Sequence, residues 1–343
     1  MKSILMGAAA STVLLLAACQ AAEETTQDVV DAAGDMAEAT GEAVSEAADA
    51  AGEMTSDAAD AAGEAMNEVA EAAEGMMNEV ADALPSEADA RLAAVLAHPR
   101  RADDMARDEF RNPGETLAFF GLEPDMTVVE ALPGGGWYGR IIAPYVADEG
   151  SYHAINYPMD VFEAIFGDRL TEERAAQLAA WEETFPAQAA EWGGEADGAF
   201  RFGATPEAAA GQVDMVLYIR ALHNMARTGR LDVTASDAFT LLKPGGVVGV
   251  VQHRAPAGEA DDRATGSRGY LREADVVAVF EAAGFTLEDS SDINANPNDS
   301  ADYEVGVWML PPTNGGDTEE EDVPPLQSVG ESDRMTLKFR KPE

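Results

Sequence analysis

The chain has 343 residues, with 64 Asp and Glu against 22 Lys and Arg, for a formal net charge of −42. That length suits one or two domains, and so acidic a surface repels phosphate backbones, which excludes a nucleic-acid partner. The one cysteine, Cys19, leaves no disulfide within the chain.

The chain opens with a single base, Lys2, and an apolar run from Val13 to Ala18 that is too short to span a bilayer as a helix. The residues Leu16-Ala17-Ala18-Cys19 resemble the lipobox of bacterial lipoproteins. The resemblance implies that residues 1–18 are a signal peptide and that Cys19 becomes the lipidated first residue of the mature chain. A residue other than Asp after the cysteine, here Gln20, resembles lipoproteins sorted to the outer membrane. It implies a lipid-anchored protein of the bacterial cell envelope, on the periplasmic face. An ordinary secretory signal with a chance cysteine is the alternative.

Residues 19–89 are rich in Ala, Glu, Asp, Gly and Met. Between Cys19 and Ala90 lie 20 acids and no Lys or Arg. An 11-residue repeat runs through the segment: MNEVAEA at Met66 returns as MNEVADA at Met77. Eleven residues in three turns matches a straight helix and keeps a small-residue stripe on one face. Each interior glycine costs about 1 kcal/mol in a helix, and like charges at i,i+4 repel. The segment reads as a marginal helical or disordered stalk ahead of a body spanning 90–343. A partner-binding coiled coil is the alternative.

The body alternates helical and strand-like runs. ARLAAVLAH and GETLAFFGL have helical spacing, and MTVVEAL reads as a buried strand. WYGRIIAPYVA is helical and GSYHAINY a second strand. Residues 160–192 read as helices. Within residues 157–205, Trp181, Phe185 and Trp192 form either a lid insertion over a pocket or a helical cover on the sheet. QVDMVLYIRALHN is a strong strand, TASDAFTLLK a helix and PGGVVGVVQHR a strand. READVVAVFEAAGF is an amphipathic helix closed by Gly284. TLEDSSDI, VGVWMLPP and RMTLKFRKP read as the last strands. Such alternation predicts an α/β, Rossmann-like doubly wound fold around a mostly parallel seven-stranded sheet.

Ligands of open α/β sheets bind outside the carboxyl ends of the strands. Glu130 and the run Gly134, Gly135, Gly136 follow the first strand. Glycine lets a ligand approach the backbone, and the helix that follows offers free N–H groups. A plain glycine turn is the alternative. Asn156 ends the second strand. Arg220, His223 and Asn224 follow the next, and Gln252, His253 and Arg254 the one after. The two histidines suit a general base and acid, and the two arginines a carboxylate or phosphate clamp. Either histidine can instead satisfy loop carbonyls. The polar loop SSDINANPND either closes over the site or stabilises its own turns.

The glycine loop after strand one and the LLKPGG turn, in this order, resemble class I S-adenosylmethionine-dependent methyltransferases over roughly residues 105–340. More narrowly, Pro133–Tyr138, Arg220–Asn224, His253–Ala255 and Gly330–Met335 resemble a bacterial group of predicted methyltransferases. The resemblance implies S-adenosyl-L-methionine as cofactor, held by Glu130, Gly134, Gly135, Gly136 and Asn156. It implies methyl transfer to a small-molecule acceptor, with His223, His253, Arg220 and Arg254 around the reacting centre; four scattered histidines, His98, His153, His223 and His253, with Cys19 taken by the lipid, argue separately against a metal. Two residues depart from the pattern. Leu132 stands where the first loop glycine is usual, and Asn156 where an acid usually holds the ribose. The export signal, on a protein whose implied cofactor is made in the cytoplasm, sets a second expectation: a non-catalytic binding or envelope-associated module on the same fold.

Overall fold

A computed structural model describes residues 86–315 and 326–343. The leader, Cys19 and nearly all of the stalk lie outside the described residues. The chain divides into two units, Met1–Glu87 and Ala88–Glu343, the second holding every strand among the described residues.

Seven strands form one sheet: β1 Thr127–Ala131, β2 Ser151–Asn156, β3 Gly198–Arg201, β4 Val213–Ile219, β5 Leu242–His253, β6 Thr286–Ser291 and β7 Arg334–Arg340. Their spatial order is β3-β2-β1-β4-β5-β7-β6. The pairs among β1 to β5 are parallel, and β7 runs antiparallel to β5 and to β6. This is the Rossmann-like α/β fold with a mostly parallel sheet that the alternation of elements predicts. The central strands bury both faces, which explains their near-continuous apolar sequences. Successive side chains alternate between two cores. Val128, Tyr152, Met215, Leu217 and Val251 pack on one side of the sheet. Val129, Ile155, Val216, Tyr218 and Val250 pack on the other.

The helices are α1 Glu87–Leu96, α2 Asp108–Arg111, α3 Pro113–Phe120, α4 Gly139–Val146, α5 Met159–Phe166, α6 Glu172–Ala179, α7 Trp181–Ala190, α8 Leu222–Arg227, α9 Leu231–Leu241 and α10 Glu273–Ala282. Side chains of α1, α3, α4 and α7 enter the first core, and those of α5, α6, α8, α9 and α10 the second. Local signals set their ends. Pro113 opens α3, where a missing N–H costs nothing. Gly121, at φ +79, closes it with its N–H on the carbonyls of Leu117 and Ala118.

Two sequence expectations need correcting, and their errors cancel in the strand count. The run Val305–Pro312 is not a strand: Gly306–Met309 is a 3-10 turn, and Pro311–Pro312 lacks the N–H groups a sheet ladder needs. The strand missing from the sequence reading is β3. It is four residues long and lies at the sheet edge, too short for a visible alternation. Of the two readings of residues 157–205, the packing supports the helical cover. Phe185, Ala189 and Trp192 lie in the core, so α7 is a cover packed on the sheet beside β3.

Candidate active site at the carboxyl ends of β1, β4 and β5

The strand order reverses between β1 and β4, and the crevice beyond such a reversal is where this architecture takes ligands. On the β1 side the chain leaves Ala131 through a loop with three left-handed residues: Leu132 at φ +53, Gly134 at +57 and Gly136 at +80. Leu132 therefore keeps the backbone shape of the glycine it replaces, at a strain of about 1–2 kcal/mol. The N–H groups of Gly134 and Gly135 make no hydrogen bond among the described residues. Their carbonyls are held instead: Arg140 donates to Gly135 O at 2.8 Å, and Gln188 to Gly134 O at 3.5 Å. Arg140 is in turn gripped by Asp104 at 2.6 and 3.0 Å.

The glycines are not equivalent. A Cβ on Gly136 would lie 2.2 Å from the Trp192 indole, and one on Gly139 2.4 Å from it. Those two positions serve the protein's own packing. A Cβ on Gly135 would meet nothing within 4 Å, and its φ is ordinary. Gly135 thus borders open space.

Beneath the loop, Glu130 is 3 % exposed and accepts the Tyr152 hydroxyl at 2.6 Å. Burial pushes its carboxyl up to about 7, against the opposing pull of that hydrogen bond and of Arg220 and Arg140. At the end of β2, the Asn156 Oδ1 accepts the N–H of Tyr157 at 2.8 Å. One oxygen lone pair and the amide NH2 remain for a ligand. Beside Arg201 opens a cavity of about 580 Å³, with Met159, Phe202, Met225 and Val233 and the charged Asp160, Glu182 and Arg230 among its walls.

On the far side of the crevice, Arg220 leaves β4 at φ +58, a second left-handed non-glycine residue, with its N–H on Val251 O. His223 lies in the first turn of α8, and His253 ends β5. Their ring centroids are 5.7 Å apart, with Trp308 6.0 Å from His223 and Tyr270 6.2 Å from His253. The Nδ1 of His253 is 2.5 Å from Ser332 Oγ, whereas the buried Nδ1 of His223 has no partner among the described residues. Burial lowers His223 to about 4 and holds His253 well below its ordinary value, the second also through His223 and through Arg220, Arg334 and Arg111. Both imidazoles are therefore neutral at pH 7. Between them Gln252 is fully buried, its Nε2 on Gly269 O and its Oε1 accepting Leu222 N–H.

The structure brings to this centre a group that the sequence reading missed. Glu331 is ion-paired with Arg107 at 2.6 Å, Arg111 at 3.1 Å and Arg334 at 2.7 Å. Burial pushes its carboxyl up, but Arg334, Arg111 and Arg107 outweigh that and hold it below the usual range. Arg111 stacks 4.5 Å over the Trp137 ring and keeps its buried Nη2 without a hydrogen bond among the described residues. The conspicuous Gly330–Met335 stretch carries Glu331, Ser332 and Arg334 and was the only signal for them. The neighbouring polar loop is tied to this stretch by Asn296, which donates to the carbonyls of Val329 and Glu331 at 2.7 and 2.6 Å.

Arg254 stands apart from the other expected site residues. It follows His253 in the chain, so it points to the opposite side. Asp333 takes its guanidinium in a two-point bond at 2.8 and 3.0 Å, with Asp292 at 3.3 Å. The structure thus uses Arg254 to fasten loops rather than leaving it open for a ligand's anion. Asn224 is partly buried on α8. Among the described residues, no cluster of three or more His, Cys, Asp or Glu side chains is set to hold a metal ion.

The fold is a Rossmann-like α/β fold with a mostly parallel seven-stranded sheet, and its polar rim lies at the carboxyl ends of the strands. No protein-family model matches the chain, and no curated protein matches it. Among solved structures it is similar to a SAM dependent methyltransferase from Aquifex aeolicus at 18 % identity, over 57 % of this chain and 90 % of that one, with a TM-score of 0.37. It is also similar to the [4+2]-cyclase SpnF at 14 % identity, over 68 % and 80 %, with a TM-score of 0.38. A third is CrArsM, an arsenic (III) S-adenosylmethionine methyltransferase from Chlamydomonas reinhardtii, at 13 % identity over 64 % of each chain, with a TM-score of 0.34. At these values the likeness concerns the path of the chain alone.

Proposed function

We propose that the chain binds S-adenosyl-L-methionine at the β1 loop and transfers its methyl group to a small acceptor lying beside His223 and His253. The observation that carries this reading is the loop itself. It has three left-handed positions, its Gly134 and Gly135 N–H groups are free among the described residues, and Gly135 borders open space at a strand-order reversal. The residues fit the cofactor in three further ways. Glu130 offers a carboxyl to its polar end, the Asn156 amide is placed to bond a hydroxyl, and the cavity beside Arg201, walled by apolar and charged side chains, has room for a flat base. When bound, the cofactor supplies an electrophilic methyl group on a sulfonium.

The chain's own residues do the rest. The loop and Glu130 orient one partner, and the His223, Tyr270 and Trp308 side chains wall in the other, so that rate comes chiefly from alignment. A neutral imidazole, at His223 or His253, takes the acceptor's proton. If Ser332 receives a hydrogen bond from His253 Nδ1, the Nε2 of that ring is the free lone pair. A second reading, a binding module without transfer, is favoured by two features. Asn156 spends part of its bonding on its own loop, and His223, at about 4, is a weak base.

Thermal unfolding of the full protein with S-adenosylhomocysteine tests both. A ligand at 100 times its dissociation constant adds about 2.7 kcal/mol, a clear rise in Tm. No rise at millimolar ligand sinks both readings as far as this cofactor is concerned. A rise without methyl transfer to any acceptor leaves the binding module.

The proposal extends to location: a lipid on Cys19 tethers the domain to the bacterial envelope, with residues 20–89 as spacer, and the motive is the Leu16-Ala17-Ala18-Cys19 pattern. Labelled palmitate should be incorporated by the wild type and lost in Cys19→Ser. Incorporation by neither rules the anchor out.

A further inference from the structure

Arg220 stands out among the arginines of the described residues. Arg107, Arg111 and Arg334 share Glu331, and Arg254 is held by Asp333. Arg201 bonds Glu182 and two carbonyls, Arg227 reaches Ile165 O, and Arg230 pairs with Asp160. Only the guanidinium groups of Arg169 and Arg220 have no hydrogen bond or ion pair among the described residues, and Arg169 is exposed while Arg220 is partly buried. Burial and the charges of Arg111 and Arg334 push the Arg220 guanidinium down to about 9, so it is charged at neutral pH in a place unfavourable to a cation. The carboxyl that shares its field, Glu130, is engaged by Tyr152. The backbone holding this side chain is left-handed, and its N–H is fixed to β5. A strained residue presenting an unpaired cation inside a ligand crevice is arranged for something other than stability.

We infer that Arg220 anchors an anion subsite, so that the ligand taken beside the two histidines carries a carboxylate or a phosphate. A guanidinium offers such groups a two-point bond. Arg111 and Arg334, behind Arg220, add positive potential that Glu331 only partly cancels. The molecule as a whole carries −42, so this local patch is what draws a small anion in. The inference deepens the proposed transfer site, because it gives its ligand a chemical class. The anion has two sources within that class, the methyl acceptor or the amino-acid carboxylate of the cofactor.

The test is titration of the full protein with inorganic phosphate, S-adenosylhomocysteine and 5′-methylthioadenosine, the last lacking the amino acid. Arg220→Gln is compared with Arg169→Gln, which makes the same charge change at an exposed site. Phosphate should bind the wild type and Arg169→Gln alike, and Arg220→Gln roughly 10- to 100-fold more weakly, the worth of one charged hydrogen-bonded pair. Without ligand, Arg220→Gln should unfold no earlier than the wild type, since an unpaired charge has been removed. Weaker S-adenosylhomocysteine binding in Arg220→Gln, with 5′-methylthioadenosine unchanged, assigns the anion to the cofactor. Unchanged S-adenosylhomocysteine binding with phosphate lost assigns it to the acceptor. Phosphate binding that survives Arg220→Gln, or that is missing in the wild type at tens of millimolar, overturns the subsite, as does a Tm lowered by Arg220→Gln. Phosphate binding without any binding of the two adenosine compounds leaves the subsite standing and sinks the methyltransferase reading.

Discussion

On the β1–β2 side of the carboxyl edge, the protein pairs side chains and leaves the Gly134 and Gly135 N–H groups free among the described residues. Asn156 bonds its own loop, Tyr152 bonds Glu130, and the Trp192 indole occupies the space over Gly136 and Gly139. On the β4–β5 side it leaves groups unpaired: His223 Nδ1, Arg111 Nη2 and the Arg220 guanidinium have no hydrogen bond among the described residues. Unmade hydrogen bonds are expensive when buried, so the second side is where a ligand gains most. The first side has the shape of a cradle and the second its unspent chemistry.

The hub of the second side is Glu331, and removing its charge should give the largest effect. Glu331→Gln leaves Arg107, Arg111 and Arg334 buried around a neutral group. Breaking a buried pair in this way costs about 3–5 kcal/mol, or roughly 6–20 °C in Tm for a domain of this size. A loss below about 1 kcal/mol would show that the arginines have other support.

Acidity sharpens the comparison, because the two sides titrate in opposite senses. Glu130 is raised from 4.5 to about 7 in the fold, so its contribution is full below pH 4.5 and is lost as pH rises through about 7. His223 is lowered from 6.5 to about 4, so its contribution is present above pH 6.5 and is lost as pH falls through about 4. Each amounts to about 3 kcal/mol at 1.36 kcal/mol per unit. Between pH 4.5 and 6.5 they oppose each other. Urea unfolding across this range should show Glu130→Gln gaining stability with rising pH relative to wild type, and His223→Gln losing it. Parallel curves for all three proteins would refute the assignment of either shift to burial.

The smallest effect is expected from Arg140→Ala. It releases Gly135 O and Asp104 but leaves the loop's left-handed backbone in place. Stability should fall by about 1 kcal/mol, the worth of a partly exposed hydrogen-bonded pair. Affinity for S-adenosylhomocysteine should fall several-fold as the loop loosens. Equal affinity would mean that Trp192 alone sets the loop.

Much of the fold was legible because β1, β2, β4 and β5 are apolar runs ending in polar residues, and a parallel sheet buries such strands on both faces. The placement of Glu130, Arg220 and His253 at the carboxyl edge was legible for the same reason, since each stands at or next to a strand end, and His223 follows four residues after β4. Arg254 was misjudged because sequence adjacency to His253 says nothing about Asp333, which takes up its guanidinium. Arg107, Arg111 and Glu331 were not legible. Their pairing joins α2 to the approach to β7, some 220 residues away, and no local pattern encodes it. The packing of Trp192 on Gly136 was hidden in the same way, since the glycine run reads identically whether a ligand or an indole needs the space.

Gly135 separates those two uses. A Cβ there meets no protein atom within 4 Å, and its backbone is not left-handed, so Gly135→Val should fold with close to the stability of the wild type. Calorimetric titration of S-adenosylhomocysteine into both proteins is therefore the most direct test of a cofactor site at the β1 loop. The account predicts binding by the wild type and a loss of about 100-fold or more in Gly135→Val, as a methyl-bearing side chain fills the ligand's space. Equal binding by the two proteins would move the ligand away from the β1 loop and contradict the account.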